Sequence, residues 1–143
     1  MTREATVERN TKETKIAIKL NLDGTGKSSL DTGVGFFDHM LDGFTRHGLF
    51  DLDIKVKGDL QVDDHHTIED TGIVLGTAIK EAVGDKKGIR RYGSCILPMD
   101  ECLVLCAIDL GGRPYLSFED TFTSEKIGDM STEMVKDCLL YTS

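Results

Sequence analysis

Residues 63–70 read Asp-Asp-His-His-Thr-Ile-Glu-Asp, and a helical pattern follows them directly. Apolar residues recur at three- and four-residue steps from Ile68 to Val83, which predicts an amphipathic helix. The stretch therefore opens this helix, where the positive end of the helix dipole favours carboxylates. Within the stretch, Asp64 is expected to cap the free N–H groups of the first turn.

His65, His66 and Glu69 are the residues of this stretch that suit metal ligation. On a helix, Glu69 shares a face with both histidines, because it follows them by four and three residues. Adjacent histidines point about a quarter-turn or more apart. They can therefore serve two different ions, or one ion and one supporting role. A mixed imidazole and carboxylate set favours manganese, iron or zinc over calcium or magnesium.

The composition is typical of a single globular domain: 143 residues, 39% hydrophobic and 29% charged. A net charge of −8 argues against nucleic acid as the main partner, although a few placed arginines can still bind an anionic substrate. There is no apolar run of membrane-spanning length and no signal-peptide core, so we expect a cytoplasmic protein without a membrane partner. The four cysteines show no CxxC spacing and are expected to be reduced and structural.

Strand and helix patterns alternate along the chain in two similar passages. In the first passage, strands are predicted at 5–9, 14–22, 28–33 and 52–57, with helices near His39 and from about His65 to Val83. In the second, strands are predicted at 94–97, 103–108 and 115–118, and a short helix around Met130 and Met134. Because 103–108 is apolar on both faces, it is expected to be a central strand.

The two passages predict an internal duplication. In each of them a glutamate, Glu13 or Glu101, precedes an apolar strand and a glycine turn. We therefore expect an α+β fold made of a duplicated βα half-domain. The first copy covers 1–87, and the second covers 88–143 and is incomplete, because it stops before its third strand and second helix.

The remaining histidines give weaker indications of a site. His39 lies on a predicted helix whose apolar face is supplied by other residues, so alone it is equally compatible with a structural role and with ligation. His47 precedes Gly48 near the end of that helix, where an imidazolium meets the dipole favourably. For His47 a structural role is therefore favoured over metal ligation.

Two arginines and two glutamates are candidates for substrate contacts. Arg91 and Arg113 each lie close to glycines, which allow close backbone approach to a ligand but also form ordinary turns. Either arginine alone is weak support for phosphate binding. Glu13 and Glu101 can act as acid–base groups only if they reach the metal site.

Eight short motifs follow one another along the chain. They are 9–14 (RNTKET), 22–26 (LDGTG), 35–41 (GFFDHML), 47–52 (HGLFDL), 63–70 (DDHHTIED), 87–93 (KGIRRYG), 99–101 (MDE) and 109–115 (DLGGRPY). Together they resemble the imidazoleglycerol-phosphate dehydratase family of histidine biosynthesis. The resemblance runs in order from about residue 4 to about residue 136, which makes it far more specific than any single motif.

The resemblance implies a fold, a reaction and an assembly. The fold is a duplicated half-domain with helices packed between two mixed sheets. The enzyme is a lyase that removes water from imidazole-glycerol phosphate to give imidazole-acetol phosphate, with two manganese ions and no organic cofactor. Members of the family are homo-oligomers, in which trimers build a 24-subunit shell and active sites lie between subunits.

The resemblance also assigns roles to residues of this sequence that match the motifs. Those implied as metal ligands are His39, His65, His66 and Glu69. Glu13 is implied as a substrate-contacting carboxylate and acid–base group. The substrate-contacting set further includes His39, His47, His65 and Glu69, together with the phosphate-binding Arg91 and Arg113.

The second half of the sequence departs from the family pattern. The resemblance implies a lone histidine and another His-His-x-x-Glu there, but no histidine follows His66. From about residue 138 the tail does not match the expected Phe-rich helix. We therefore expect a truncated member that lacks complete metal sites and is inactive or nearly so. Two alternatives are a non-catalytic metal-stabilised assembly module and a metal-dependent hydrolase.

Overall fold

In the computed structural model, which describes residues 2–143, the chain divides into two units. The described residues up to Gly84, together with Tyr115–Ser143, form the first unit, and Asp85–Pro114 form the second. Among the described residues, no helix is both long enough and apolar enough to cross a bilayer. The structure does not test the predicted division into repeats at residue 87, which stays a prediction.

A mixed four-stranded sheet forms the base of the first unit. Its strands are β1 (Glu4–Asn10), β2 (Lys15–Asn21), β3 (Ser28–Asp31) and β4 (Asp51–Lys57), in the order β1-β2-β4-β3. The β1–β2 and β2–β4 pairs are antiparallel, whereas β3 runs parallel to β4 at the edge of the sheet. The alternation seen in the sequence is confirmed, because Ile16, Ile18 and Leu20 of β2 are all buried.

Two helices cover this sheet and complete the core. They are α1 (Gly35–Gly48) and α2 (His65–Val83), of which α2 packs across β1 and β2 and α1 lies beside β3. Ile18, Ile54 and Ile68 come from β2, β4 and α2, and each is 0% exposed. Burial of each such side chain stabilises the fold by roughly 1.5–3 kcal/mol. The α+β class predicted from the sequence is therefore confirmed.

A third helix, α3 (Met134–Thr142), packs against α2 at a stripe of small residues. A Cβ at Gly76 would lie 2.5 Å from the Thr142 carbonyl oxygen, and one at Gly72 would lie 3.0 Å from the Cys138 carbonyl oxygen. Glycine is needed at both positions because the two backbones approach this closely.

The predicted helix around Met130 and Met134 was placed too early. Met130 belongs instead to a short strand, β8 (Met130–Ser131), which pairs with β7 (Lys126–Ile127). Both methionines are buried in the core cluster. The two methionines are therefore four residues apart and both reach the core, although they lie on different elements, β8 and α3.

The second unit is an antiparallel hairpin of β5 (Tyr92–Met99) and β6 (Cys102–Asp109). The expectation that 103–108 is a central strand is wrong for the described residues, since β6 belongs to a two-stranded sheet. Its apolar side chains are exposed on both faces, with Leu103 and Leu105 each at 71%.

The strand predicted at 115–118 is also absent from the structure. These residues adopt no regular secondary structure and belong to the first unit. Their aromatic composition favours a strand, but a strand also needs a partner for its backbone groups. Within 2–143 no strand pairs with them.

Thiol reactivity should separate Cys138 from the other three cysteines. Burial raises the pKa of the Cys138 thiol to about 11, so roughly one molecule in a thousand carries its thiolate near pH 8. Titration of the folded chain with an aromatic disulfide reagent should modify Cys95, Cys102 and Cys106, which are exposed. Cys138 should react only after unfolding.

The Cys138→Ala variant provides the control for that titration. In the folded state, this variant should have the same number of fast-reacting thiols as the original chain. In the unfolded state, it should have one reactive thiol fewer. Four thiols reacting at one rate in the folded chain would contradict the buried position of Cys138.

Candidate active site

His66 lies at the start of α2 and is hydrogen-bonded to Asp59, a carboxylate outside the 63–70 stretch. The Nδ1 atom of His66 is 2.8 Å from Oδ2 of Asp59, which lies in the loop after β4. This hydrogen bond is the main cause of a raised pKa at His66. Desolvation, the next largest contribution, lowers the pKa of His66, and the negative charges of Asp59, Glu13 and Asp63 raise it further.

His65 lies between two carboxylates. Its Nε2 atom is 3.0 Å from Oε1 of Glu133, and its Nδ1 atom is 3.4 Å from Oδ2 of Asp63. Asp63 also accepts a hydrogen bond from the His65 backbone N–H at 2.9 Å. The two adjacent histidines therefore contact different carboxylates, as expected for neighbours that point in different directions.

Asp64 does not cap α2, contrary to the sequence prediction. Its buried carboxylate accepts hydrogen bonds from the backbone N–H of Ser131 at 2.6 Å and from the Ser131 hydroxyl at 2.8 Å. The reason is conformational: Asp64 already has helical φ and ψ of −92° and −5°, whereas a capping residue is typically extended. Asp64 instead joins α2 to the strand β8.

Glu13 is placed beside α2 by a buried polar contact. The neighbouring Thr14 hydroxyl donates a hydrogen bond to the Asp70 carboxylate, and Nη1 of Arg9 lies 2.6 Å from the same group. Thr14 is 1% exposed. Asp70 therefore connects the turn between β1 and β2 to α2. The negative charge of Glu13, in this turn, contributes to the raised pKa of His66.

The first helix carries His39 and His47, both exposed. The ring of His39 is 6.0 Å from that of Phe36. His47 lies in the last turn of α1, where the sequence placed it. The start of α1 is hydrogen-bonded to a residue that is distant in sequence. Asp129 accepts hydrogen bonds from the N–H groups of Gly35 and Phe36 at 2.9 and 3.3 Å. These bonds lower the pKa of Asp129.

Glu69 lies one turn along α2, beside the end of α3. Its negative charge is the main cause of a raised pKa at the Tyr141 hydroxyl. The same α2 face that the sequence assigned to metal ligation is therefore adjacent to α3.

The metal donors implied by the sequence do not converge into a complete site in this chain. Within residues 2–143, no group of three or more histidine, cysteine, aspartate or glutamate side chains is placed to hold a metal ion. The closest approaches are histidine–carboxylate pairs, of which His66 with Asp59 is the shortest. The donor types suit manganese or zinc, but the described residues supply only part of a coordination sphere.

Both candidate phosphate-binding arginines belong to the second unit. Arg91 makes a two-point contact with Asp109, at 2.7 Å from Nε to Oδ1 and 3.2 Å from Nη2 to Oδ2. This contact lowers the pKa of Asp109, and the charge of Arg113 adds to the effect. Both partners of the pair are more than half exposed, so solvent weakens their attraction and the guanidinium is accessible to a phosphate.

The sequence is similar to known proteins of a single name. A sequence profile described as imidazoleglycerol-phosphate dehydratase matches residues 32–141. The chain is 64% identical over 137 residues to the protein of that name from Lachnoclostridium phytofermentans, covering 96% of this chain and 70% of the relative. It is 61% identical over 137 residues, at the same two coverages, to the protein of that name from Acetivibrio thermocellus.

Two solved structures resemble the fold. The dehydratase from Staphylococcus aureus matches with a TM-score of 0.84 at 38% identity, over 97% of this chain and 78% of that one. The enzyme from Pyrococcus furiosus, solved in complex with (S)-C348, matches with a TM-score of 0.78 at 31% identity. That second match covers 95% of this chain and 72% of the other.

Proposed function

The chain belongs to the imidazoleglycerol-phosphate dehydratase family, and from this premise we propose that the start of α2 supplies one half of a dehydratase active site. The family's activity is that of a lyase acting in histidine biosynthesis, on a small phosphorylated imidazole. The observation that carries the proposal is the pair of histidines at this helix start, whose ring nitrogens lie 2.8 Å from Asp59 and 3.0 Å from Glu133. The negative charge of Glu13, from a distant part of the sequence, also contributes to the raised pKa of His66.

Four residues are proposed as ligands for manganese in the completed site. They are His39, His65, His66 and Glu69. Imidazole and carboxylate donors from two helices support this assignment, since manganese accepts both types. Because the described residues form no three-donor group, we assign no reaction step to a metal in this chain. We expect further donors from outside it, and no organic cofactor.

Glu13 is proposed as the acid–base group that moves a proton on the substrate. It is exposed and therefore accessible, and the contact of Thr14 with Asp70 fixes the turn that carries it. Catalysis by such a group requires it to lie within hydrogen-bond reach of the proton that it transfers. His39, His47, His65 and Glu69 are proposed as further substrate contacts.

Arg91 and Arg113 are proposed to bind the substrate phosphate. An arginine presents two parallel N–H groups to a phosphate, so the pair can orient the reacting end of the molecule. The exposed contact between Arg91 and Asp109 supports this proposal, because Asp109 occupies the guanidinium as an anionic ligand does.

The assembly, the location and the repeats are also proposals. A homo-oligomer, built in the family from trimers into a 24-subunit shell, is supported by the incomplete donor set within one chain. A cytoplasmic location follows from the biosynthetic role. We propose one repeat over 1–87 and a second over 88–143, with a tail from about 138 that differs from the family pattern.

Product formation from imidazole-glycerol phosphate with manganese tests the proposed function. We expect no measurable turnover by the 143-residue chain, because its described donors form no complete site. Joining it to the C-terminal segment of the 64% identical relative should restore turnover.

Three outcomes separate the dehydratase from the two alternatives. Turnover by the chain alone would contradict the incomplete site. Cleavage of a simple ester that has no imidazole would favour the hydrolase. Metal-dependent stabilisation or growth of the oligomer without any turnover in the joined protein would favour the assembly module.

A further inference from the structure

In the hydrogen bond between Asp59 and His66, only the histidine can be the donor. A carboxylate can only accept hydrogen bonds, so the Nδ1 atom of His66, 2.8 Å from Oδ2 of Asp59, must carry the proton that is shared. A neutral imidazole carries one ring proton. When that proton is on Nδ1, the Nε2 atom is left with its lone pair free.

We propose that Asp59 is a positioning residue that holds neutral His66 in the Nδ1–H tautomer and presents its Nε2 atom as the free donor. The functional meaning rests on the proposed function, in which His66 ligates a metal. A ligating histidine that gives its other N–H to a carboxylate has a fixed tautomer and ring orientation, and its donor nitrogen is more basic.

Gly58 allows the loop that carries Asp59 to approach α2. A Cβ at Gly58 would lie 2.0 Å from Oγ1 and 3.2 Å from Cβ of Thr67. Thr67 is 0% exposed and β-branched, so it has little freedom to move away. A side chain at position 58 would therefore push the loop off the helix and lengthen the contact between Asp59 and His66.

Other charged groups face His66 but do not set its tautomer. Glu13, from the turn between β1 and β2, and Asp63, from the loop before α2, act on the ring through their charge. Among the described residues, Asp59 is the group whose side chain is hydrogen-bonded to a ring nitrogen of His66. Replacing Asp63 should therefore leave the tautomer unchanged, which makes it a matched control.

Long-range ¹H–¹⁵N correlation spectra of the ¹⁵N-labelled 143-residue chain test the proposal. At a pH high enough that the His66 ring signals no longer change, so that the ring is neutral, His66 should show the Nδ1–H pattern. Asp59→Ala removes the acceptor and should convert His66 to mainly Nε2–H, the form that free imidazole side chains prefer. Gly58→Ala should shift the tautomer in the same direction while it keeps the carboxylate, and Asp63→Ala should not shift it.

Two results would overturn the proposal: an Nε2–H pattern in the original chain, or an unchanged His66 in Asp59→Ala. The backbone amide spectrum of α2 reports in each variant whether the helix still folds. An unfolded Asp59→Ala variant would leave the decision to Gly58→Ala, where an unchanged tautomer overturns the proposal.

Titration with manganese chloride alone then separates this proposal from the proposed function. Broadening of the His66 signals should require about 10–100-fold more metal in Asp59→Ala than in the original chain. If the original chain shows the Nδ1–H tautomer but manganese never broadens His66, the metal-ligand assignment fails while the role of Asp59 is upheld.

Discussion

Glu13→Gln is expected to lower turnover by about 10²–10⁴-fold in the chain joined to the C-terminal segment of its relative, because a positioned acid–base group contributes an effect of this size. The amide keeps the shape of the side chain but cannot exchange a proton at neutral pH. Glu13 is exposed, so the free energy of unfolding should change by less than about 0.5 kcal/mol. The loss should therefore appear in kcat rather than in folding.

Glu8→Gln is the matched control for that measurement. Glu8 is also an exposed glutamate, and it lies on β1 close in sequence to Glu13. It should leave kcat unchanged. Equal activity in Glu13→Gln and Glu8→Gln would contradict the acid–base role and would leave the turn between β1 and β2 with a structural function only.

Asp64→Ala is expected to reduce the free energy of unfolding by about 3 kcal/mol. The substitution removes an acceptor of two hydrogen bonds and leaves the N–H of Ser131 without its partner. Ser131 is only 8% exposed, and a buried donor that loses its partner costs about 1–3 kcal/mol, with more for bonds to a charged group. Urea unfolding, followed by circular dichroism, measures the difference.

Asp63→Ala and Ser131→Ala provide the comparisons. Asp63 is half-exposed and its contacts are local, so its loss should cost about 1 kcal/mol. Ser131→Ala removes the hydroxyl but keeps the backbone N–H that Asp64 accepts, so it should also cost about 1 kcal/mol. If Asp63→Ala were as destabilising as Asp64→Ala, the contact with Ser131 would not be the source of the stability.

The sequence predicts those elements whose burial is periodic. Alternation in β2 and three- and four-residue spacing in α2 correspond to Ile16, Ile18 and Leu20, and to Ile68 and Leu75, all of which are buried. Periodicity alone gives a wrong prediction where an element depends on a partner from a distant part of the sequence. The strand expected at 115–118 has no pairing strand among the described residues, and Met130 is buried through a short strand rather than through α3.

In the candidate site too, some residues can be predicted from the sequence and others cannot. A cluster of histidines and carboxylates is visible in the sequence at 63–70, and the charge of Glu13 contributes to the raised pKa of His66. The groups that orient this cluster are not visible there. Asp59 lies in the loop after β4 and contacts His66, Glu133 lies just before α3 and contacts His65, and Asp70 of α2 contacts Arg9 of β1. None of these contacts produces a repeating pattern along the chain.

The contacts of residues 129–133 also determine when the fold can be completed during synthesis. Asp129 bonds the first N–H groups of α1, Ser131 bonds Asp64, and Glu133 contacts His65 at the start of α2. All of these partners are synthesised much earlier than 129–133. The four-stranded sheet, α1 and α2 are therefore synthesised before these contacts can form. The two helix starts that carry the candidate ligands receive them only after residue 133 has emerged from the ribosome.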